Sequence, residues 1–328
     1  MRRPGGKCGP AWTNARGRAI LILVFPTNPL PKGAFDLKKH LILPALSVLG
    51  GAVAFLLRLL QNRTGFEPDT SLPIPGNVPG LALVVLLAVL AAALCVLVWK
   101  LPKEADPGPA FPQDFATTDT RLLTLPVMGV LLIALSGLLD LAGGFGITLG
   151  GPSLEDAYVL SAAMETYIPG PAFSQKALLL MGLLSLASAG GLFLSVLSCR
   201  PREGRAANGT LLLIAPAALV VRLVLVYRVD SVDPALEAYY VELLALVFLT
   251  LGFYRLSSFA FGAGRTRRFA LYTGAAVVLS LAALTDGAAG ISSTLLYLGG
   301  ALTLLGFLLL RLCRPAGDCE AHHSTGEA

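Results

Sequence analysis

The residues that could do chemistry in this chain are few, and their positions exclude more than they suggest. Its three histidines are His40, His322 and His323. None sits deep in an apolar stretch, so a His-dependent intramembrane protease, metalloprotease or phosphatase has no imidazole to work with. There is no G-x-x-x-x-G-K-[ST] loop for nucleotide phosphates and no Asp-rich run for a diphosphate. Cys313, Cys319, His322 and His323 are soft ligands, but their spacing fits no standard zinc pattern. No metal, cofactor or catalytic residue is therefore expected, and nothing in the residues argues for an enzyme.

The positions that stand out are charges inside apolar sequence: Arg58, Asp140, Arg222, Glu242 and Asp286. A charge at the middle of a membrane helix costs about 2.5–3.5 kcal/mol on insertion scales, less toward the interface. Arg222 stands six residues before Arg228, and Glu242 seven after Ala235. At 1.5 Å per residue both lie roughly 9–10 Å below the same boundary, which predicts an Arg222–Glu242 pair between consecutive helices. Helical stepping also predicts where the charges point. Ala54, Gly51 and Ser47 share the face of Arg58, and Ala218 and Ala215 that of Arg222. Ser136 and Gly129 share the face of Asp140, Ala282 and Ala275 that of Asp286. Small residues let membrane helices approach closely, so these charges should face helices and not lipid. Tyr239 shares the face of Glu242. Arg222, Glu242, Asp140, Asp286, Arg58 and Tyr239 are thus the candidate site. One reading makes it a structural clip whose outer members reach the interface; the other makes it a polar pocket for a small charged ligand or proton.

The elements that carry them are apolar blocks of about twenty residues, the length that crosses a ~30 Å hydrocarbon core. Eight qualify: 41–60, 80–99, 122–142, 177–198, 209–228, 235–254, 269–286 and 292–312. The first and seventh are the weakest, being rich in Gly and Ala. The chain is 55% hydrophobic and 14% charged, with mean hydropathy +0.73, where a soluble domain is about 25% charged. With the N-terminus placed inside, the outer side keeps only Arg58, Arg63, Lys176, Arg222 and Arg228 of the 25 Lys and Arg. That asymmetry is the positive-inside pattern. It accounts for the net charge of +5 and leaves no basic surface for nucleic acid. All five cysteines fall on or near the inner side, so no disulfide is expected.

The expected fold is all-α, a polytopic bundle of eight spanning helices with both termini inside. Residues 1–36 read as a disordered cytoplasmic tail or a misassigned start, with Leu37 as the alternative beginning. Residues 37–314 form one membrane domain, and 315–328 a second disordered tail. The outer segment 143–176 contains Ser153-Leu154-Glu155-Asp156, an N-cap with acids in the first turn, followed by apolar residues at helical spacing to Ile168. This predicts a short lid helix. Residues 100–121 read as a Pro-rich acidic linker. Weak echoes between the halves (Arg58 with Arg222, Asp140 with Asp286, Cys199-Arg200-Pro201 with Cys313-Arg314-Pro315) raise a parallel four-plus-four duplication, against coincidence in apolar sequence. The leading function is a small-solute permease or the membrane subunit of a transporter, in the multi-pass inner membrane of a bacterial-type cell. The alternative is a non-transporting membrane sensor or assembly partner. The partners implied are the lipid bilayer, other membrane subunits and a small molecule the sequence does not name.

Overall fold

A computed structural model describes residues 34–66, 74, 76–101, 111–115, 117, 120–147, 173–200, 209–230, 236–286 and 290–313. The lid helix expected over 153–168 and both expected tails beyond Leu37 and Pro315 lie largely or wholly outside them. Among the described residues the protein is all-helical. In chain order the helices are α1 (Ala34–Thr64), α2 (Val78–Lys100), α3 (Phe111–Asp114), α4 (Thr120–Gly144) and α5 (Gln175–Ser198). They continue with α6 (Gly209–Leu212), α7 (Ile214–Asp230), α8 (Leu236–Ala260), α9 (Thr266–Ala283) and α10 (Gly290–Leu312).

Among the described residues seven helices are long and apolar enough to cross a membrane: α1, α2, α4, α5, the α6–α7 run, α8 and α10. The seventh apolar block forms α9, only 18 residues long and opening on Thr266, Arg267 and Arg268. By length and composition α9 does not qualify, yet it is a central element, packed on α1, α2, α8 and α10. Phe269, Ala270, Thr273, Ala276 and Ala282 are all buried. A helix enclosed by other helices meets protein and not lipid, so small and polar residues suit it better than an all-apolar surface.

The outer ring shows the opposite pattern. On α2, Val78, Leu81, Val84, Val85, Val89 and Val96 are exposed, as are Leu49, Val53 and Leu56 on α1 and Leu180 and Leu183 on α5. Bands of aliphatic side chains around a multi-helix bundle are a surface for lipid tails, which makes this an integral membrane protein. Close approach inside the bundle depends on glycine. A Cβ on Gly129 of α4 would sit 2.5 Å from the Thr303 nitrogen and 2.6 Å from the Gly299 carbonyl oxygen of α10. Pro126, one turn earlier, occupies the space beside Gly306. The packing does not repeat by halves. α4 lies along α10, but the counterpart pair under a four-plus-four duplication, α9 with α5, is not a packed pair.

One end of the bundle is closed by a short element absent from the helical expectation. In the stretch 100–121, taken as linker, α3 places Phe111 and Phe115 among Phe259, Phe269 and Phe307. The Phe115 ring centroid lies 5.3 Å from Phe259 and 5.5 Å from Phe307, both edge-on. Arg311 donates to Asp114 Oδ1 at 2.9 Å, and Arg267 donates to the Leu101 carbonyl. The candidate residues all lie toward the other end.

Candidate functional site

The five charges form a single layer, four of them buried and Asp286 half-buried, held by pairings different from the one expected. Arg222 of α7 donates through Nη1 to Asp140 Oδ2 of α4 at 2.8 Å and through Nη2 to Ser293 Oγ of α10 at 2.9 Å. Asp140 also accepts from Ser292, which itself lies 3.2 Å from Ser136 Oγ. Arg58 of α1 donates through Nε to Asp286 Oδ1 at 2.8 Å and through Nη1 to Gln61 Oε1 at 3.0 Å. Asn62 donates to the same Asp286 oxygen at 3.1 Å. Glu242 of α8 accepts from the Tyr297 hydroxyl of α10 at 2.6 Å. The predicted Arg222–Glu242 pair is therefore corrected: Arg222 pairs with Asp140, and Glu242 with a tyrosine. Consecutive helices do adjoin, since α7 packs on α8, but the Arg222 side chain leaves that interface and crosses toward α4 and α10.

The picture of Arg58 and Asp140 reaching out to the interface is also corrected, while Asp286, just past the end of α9, is half-buried. Arg58 is 0% exposed, Asp140 and Arg222 4%, and Glu242 6%. The expected faces explain this. Ala54, Ser47, Ser136, Ala215 and Ala282 are buried beside their charges, and Gly51 meets Leu281 of α9. The charges therefore point into the bundle, where removing one partner of a pair leaves a bare charge costing about 3–5 kcal/mol. Tyr239 is half-buried. Its neighbour Tyr240 takes the role nearer the charges, its ring centroid 5.5 Å from the Arg58 guanidinium carbon, a cation–π distance.

Sequence reasoning missed Gln61, Asn62, Ser292, Ser293 and Tyr297 as members of the layer. Helical spacing carried some of the signal. Gln61 and Asn62 follow Arg58 by three and four residues, and Ser293 precedes Tyr297 by four, so each pair shares a face. Tyr297 lies within electrostatic reach of Glu242, Arg222 and Asp286 together, which joins the ion pairs into one network.

Below the layer lies a crevice. Its walls come from five helices: Ile133 of α4, Ser185 and Leu192 of α5, Ala218 of α7, Phe253 of α8 and Gly300 of α10 are among them, and Arg222 stands at its head. α7 packs on α5 and α8, whereas α4 packs on α5 and α10, so Arg222 reaches across this gap to hold α4 and α10. Its Nε has no hydrogen-bond partner among the described residues. No group of three or more His, Cys, Asp or Glu among the described residues could hold a metal ion.

No protein-family model, curated protein or solved structure matches the chain. Its membrane character rests on the helices, and any narrower role rests on the site.

Proposed function

We propose that the protein is a small-solute permease, or the membrane subunit of a transporter, whose pathway passes through the crevice under the buried charged layer. One observation carries the reading: Arg222, buried, spans a gap between helices that are not packed on each other. A bundle that needed only stability would gain as much from apolar packing, because a buried ion pair does no better than hydrophobic residues of similar volume. Keeping two arginines and three carboxylates at one depth is explained by a task that needs charge inside a membrane. In this reading the Arg222–Asp140 and Arg58–Asp286 pairs seal one end of the pathway, and the aromatic cluster around Phe115 seals the other. The membrane is a bacterial-type cytoplasmic membrane, with the Phe115 end and both termini inside.

The second reading, a non-transporting sensor or assembly partner, draws its support from the completeness of those pairs: each arginine already meets a carboxylate at 2.8 Å. Reconstitution into liposomes separates the two. Currents on a solid-supported membrane are recorded while panels of small organic acids, amines, amino acids and sugars are applied. A carrier gives a saturable current with at least one class, lost in Glu242→Gln. Silence across the panels from protein shown to be inserted and folded transfers the weight to the sensor reading.

A further inference from the structure

We infer that the crevice beneath Arg222 is a binding site for a slender apolar molecule with a neutral hydrogen-bond acceptor at one end, such as an unbranched alkyl ester or ketone. This goes beyond transport, because it concerns what the site holds and stands whether or not the ligand is moved.

The shape of the site comes first. Leu296 is six residues into α10, and Phe253 is seventeen into α8. Both helices start at the charged end, so at 1.5 Å per residue the lining runs from about 9 Å to about 26 Å of depth. The crevice is thus long along the membrane normal. Its empty space, counted with the open solvent at its mouth, is about 430 Å³. It is also narrow, so an unbranched chain asks least of its walls, several of which are flexible Leu and Met side chains. Ile133, Met181, Leu192, Leu219, Leu249, Phe253 and Leu296 make those walls apolar.

Chemistry at the head selects the other end of the ligand. Arg222 has a 5% exposed side chain, and its Nε is a buried donor without a partner among the described residues. A buried donor left unpaired is costly, and an acceptor oxygen arriving along the crevice would remove that cost. That acceptor should be neutral. The Arg222 charge is already matched by Asp140, and Glu242 lies in the same layer, so a ligand carboxylate would meet two protein carboxylates for one available N–H. An ammonium group would meet Arg222 itself. An ester or ketone carbonyl supplies the acceptor without either repulsion. This chemistry has two sources, the ester carbonyls of membrane lipids and a free small carbonyl compound.

The test uses the full-length protein in nanodiscs, with melting followed by a thiol-reactive dye that reports exposure of buried Cys199. Methyl octanoate and 2-decanone are the probes, with decane, octanoate and octylammonium as controls. The expected result is a saturable rise in melting temperature with the two carbonyl probes, and at least tenfold weaker responses with the three controls. Ala218→Leu fills the crevice from α7 without touching the Asp140 pair and should abolish the rise. Ser185→Leu does the same from α5 and serves if Ala218→Leu fails to fold. A second arm incorporates a phosphatidylcholine carrying a photoreactive diazirine in its acyl chain. Labelling of α5 or α7 that methyl octanoate competes away assigns the site to a lipid ester; a carbonyl-probe shift without such labelling assigns it to a free solute. Equal responses to decane and methyl octanoate, or an undiminished shift in both filled variants, would overturn the inference. A permease that carries polar solutes and gives no carbonyl-specific shift would fail this inference alone and leave the carrier reading standing.

Discussion

Removing the Asp140 carboxylate should destabilise the bundle far more than removing that of Glu242 does through Arg222, and the difference can be worked from geometry. Asp140→Leu leaves the Arg222 guanidinium with Ser293 as its remaining partner, in a side chain 5% exposed. Breaking a buried pair costs about 3–5 kcal/mol. Arg222 lies about 12 Å below the end of α7 at Asp230, and its guanidinium already points across the bundle. Escape to water along the helix therefore means abandoning the crossing, and the upper half of that range applies. At about 2–4 °C per kcal/mol for a chain of this order, the melting temperature should fall by roughly 8–20 °C. Adding Arg222→Leu should restore most of the loss, because two apolar side chains of similar volume replace the pair. A double-mutant cycle in detergent, read by dye reactivity of buried thiols, gives the coupling. It should be at least about 3 kcal/mol in magnitude for Arg222 with Asp140, as restoring most of the single loss requires, and stay within about 0.5 kcal/mol for Arg222 with Glu242. An Asp140→Leu/Arg222→Leu protein that melts as low as the two single losses predict would refute the pairing, and with it the claim that Arg222 crosses the bundle.

Three further outcomes follow from particular contacts. Tyr297→Phe deletes the donor to Glu242 and should cost about 1.5–3 kcal/mol, the value of a hydrogen bond to a charged group, measured as a shift in melting temperature. Burial pushes the Cys199 thiol up to about 12, so at pH 8 about one molecule in 10⁴ carries the reactive thiolate. A water-soluble maleimide should leave Cys199 unmodified in folded protein while modifying half-buried Cys313, and mass mapping that finds Cys199 labelled at a comparable rate would contradict its placement. Reporter fusions at Arg202, Arg267 and Ala321 should read cytoplasmic and those at Ser153 and Ser231 external. An external reading at Ala321 with Arg202 inside would mean that α9 does not cross.

The faces of the charged helices were legible in the sequence because helical periodicity is local. Stepping back from Arg58 by four and eleven residues reaches Ala54 and Ser47, both fully buried. Partner choice was not legible. Three carboxylates lie at similar depth near Arg222, and a depth estimate cannot tell Glu242 on the adjoining helix from Asp140 across the crevice. The direction of the side chain decides, and that depends on packing between α4, α5 and α10 that no spacing within α7 encodes. α9 was ambiguous for a related reason: Gly274, Ala275 and Ala276 lower its apolarity because neighbouring helices need room there. α3 was missed because four residues are too short to show a period. Phe111 and Phe115, one turn apart in a Pro-rich stretch, were the signal, and they meet in the structure with ring centroids 4.8 Å apart.

The carrier reading is tested most directly by comparing wild-type protein with the Arg222→Leu/Asp140→Leu variant in proteoliposomes at equal density and confirmed fold. Solid-supported-membrane currents are recorded over the same solute panels. The account predicts a saturable current from wild type with at least one solute class and none from the variant, because the apolar replacement keeps the bundle together but removes the charge that spans the crevice. Equal currents from both proteins would contradict it, making the layer a structural clip away from the pathway.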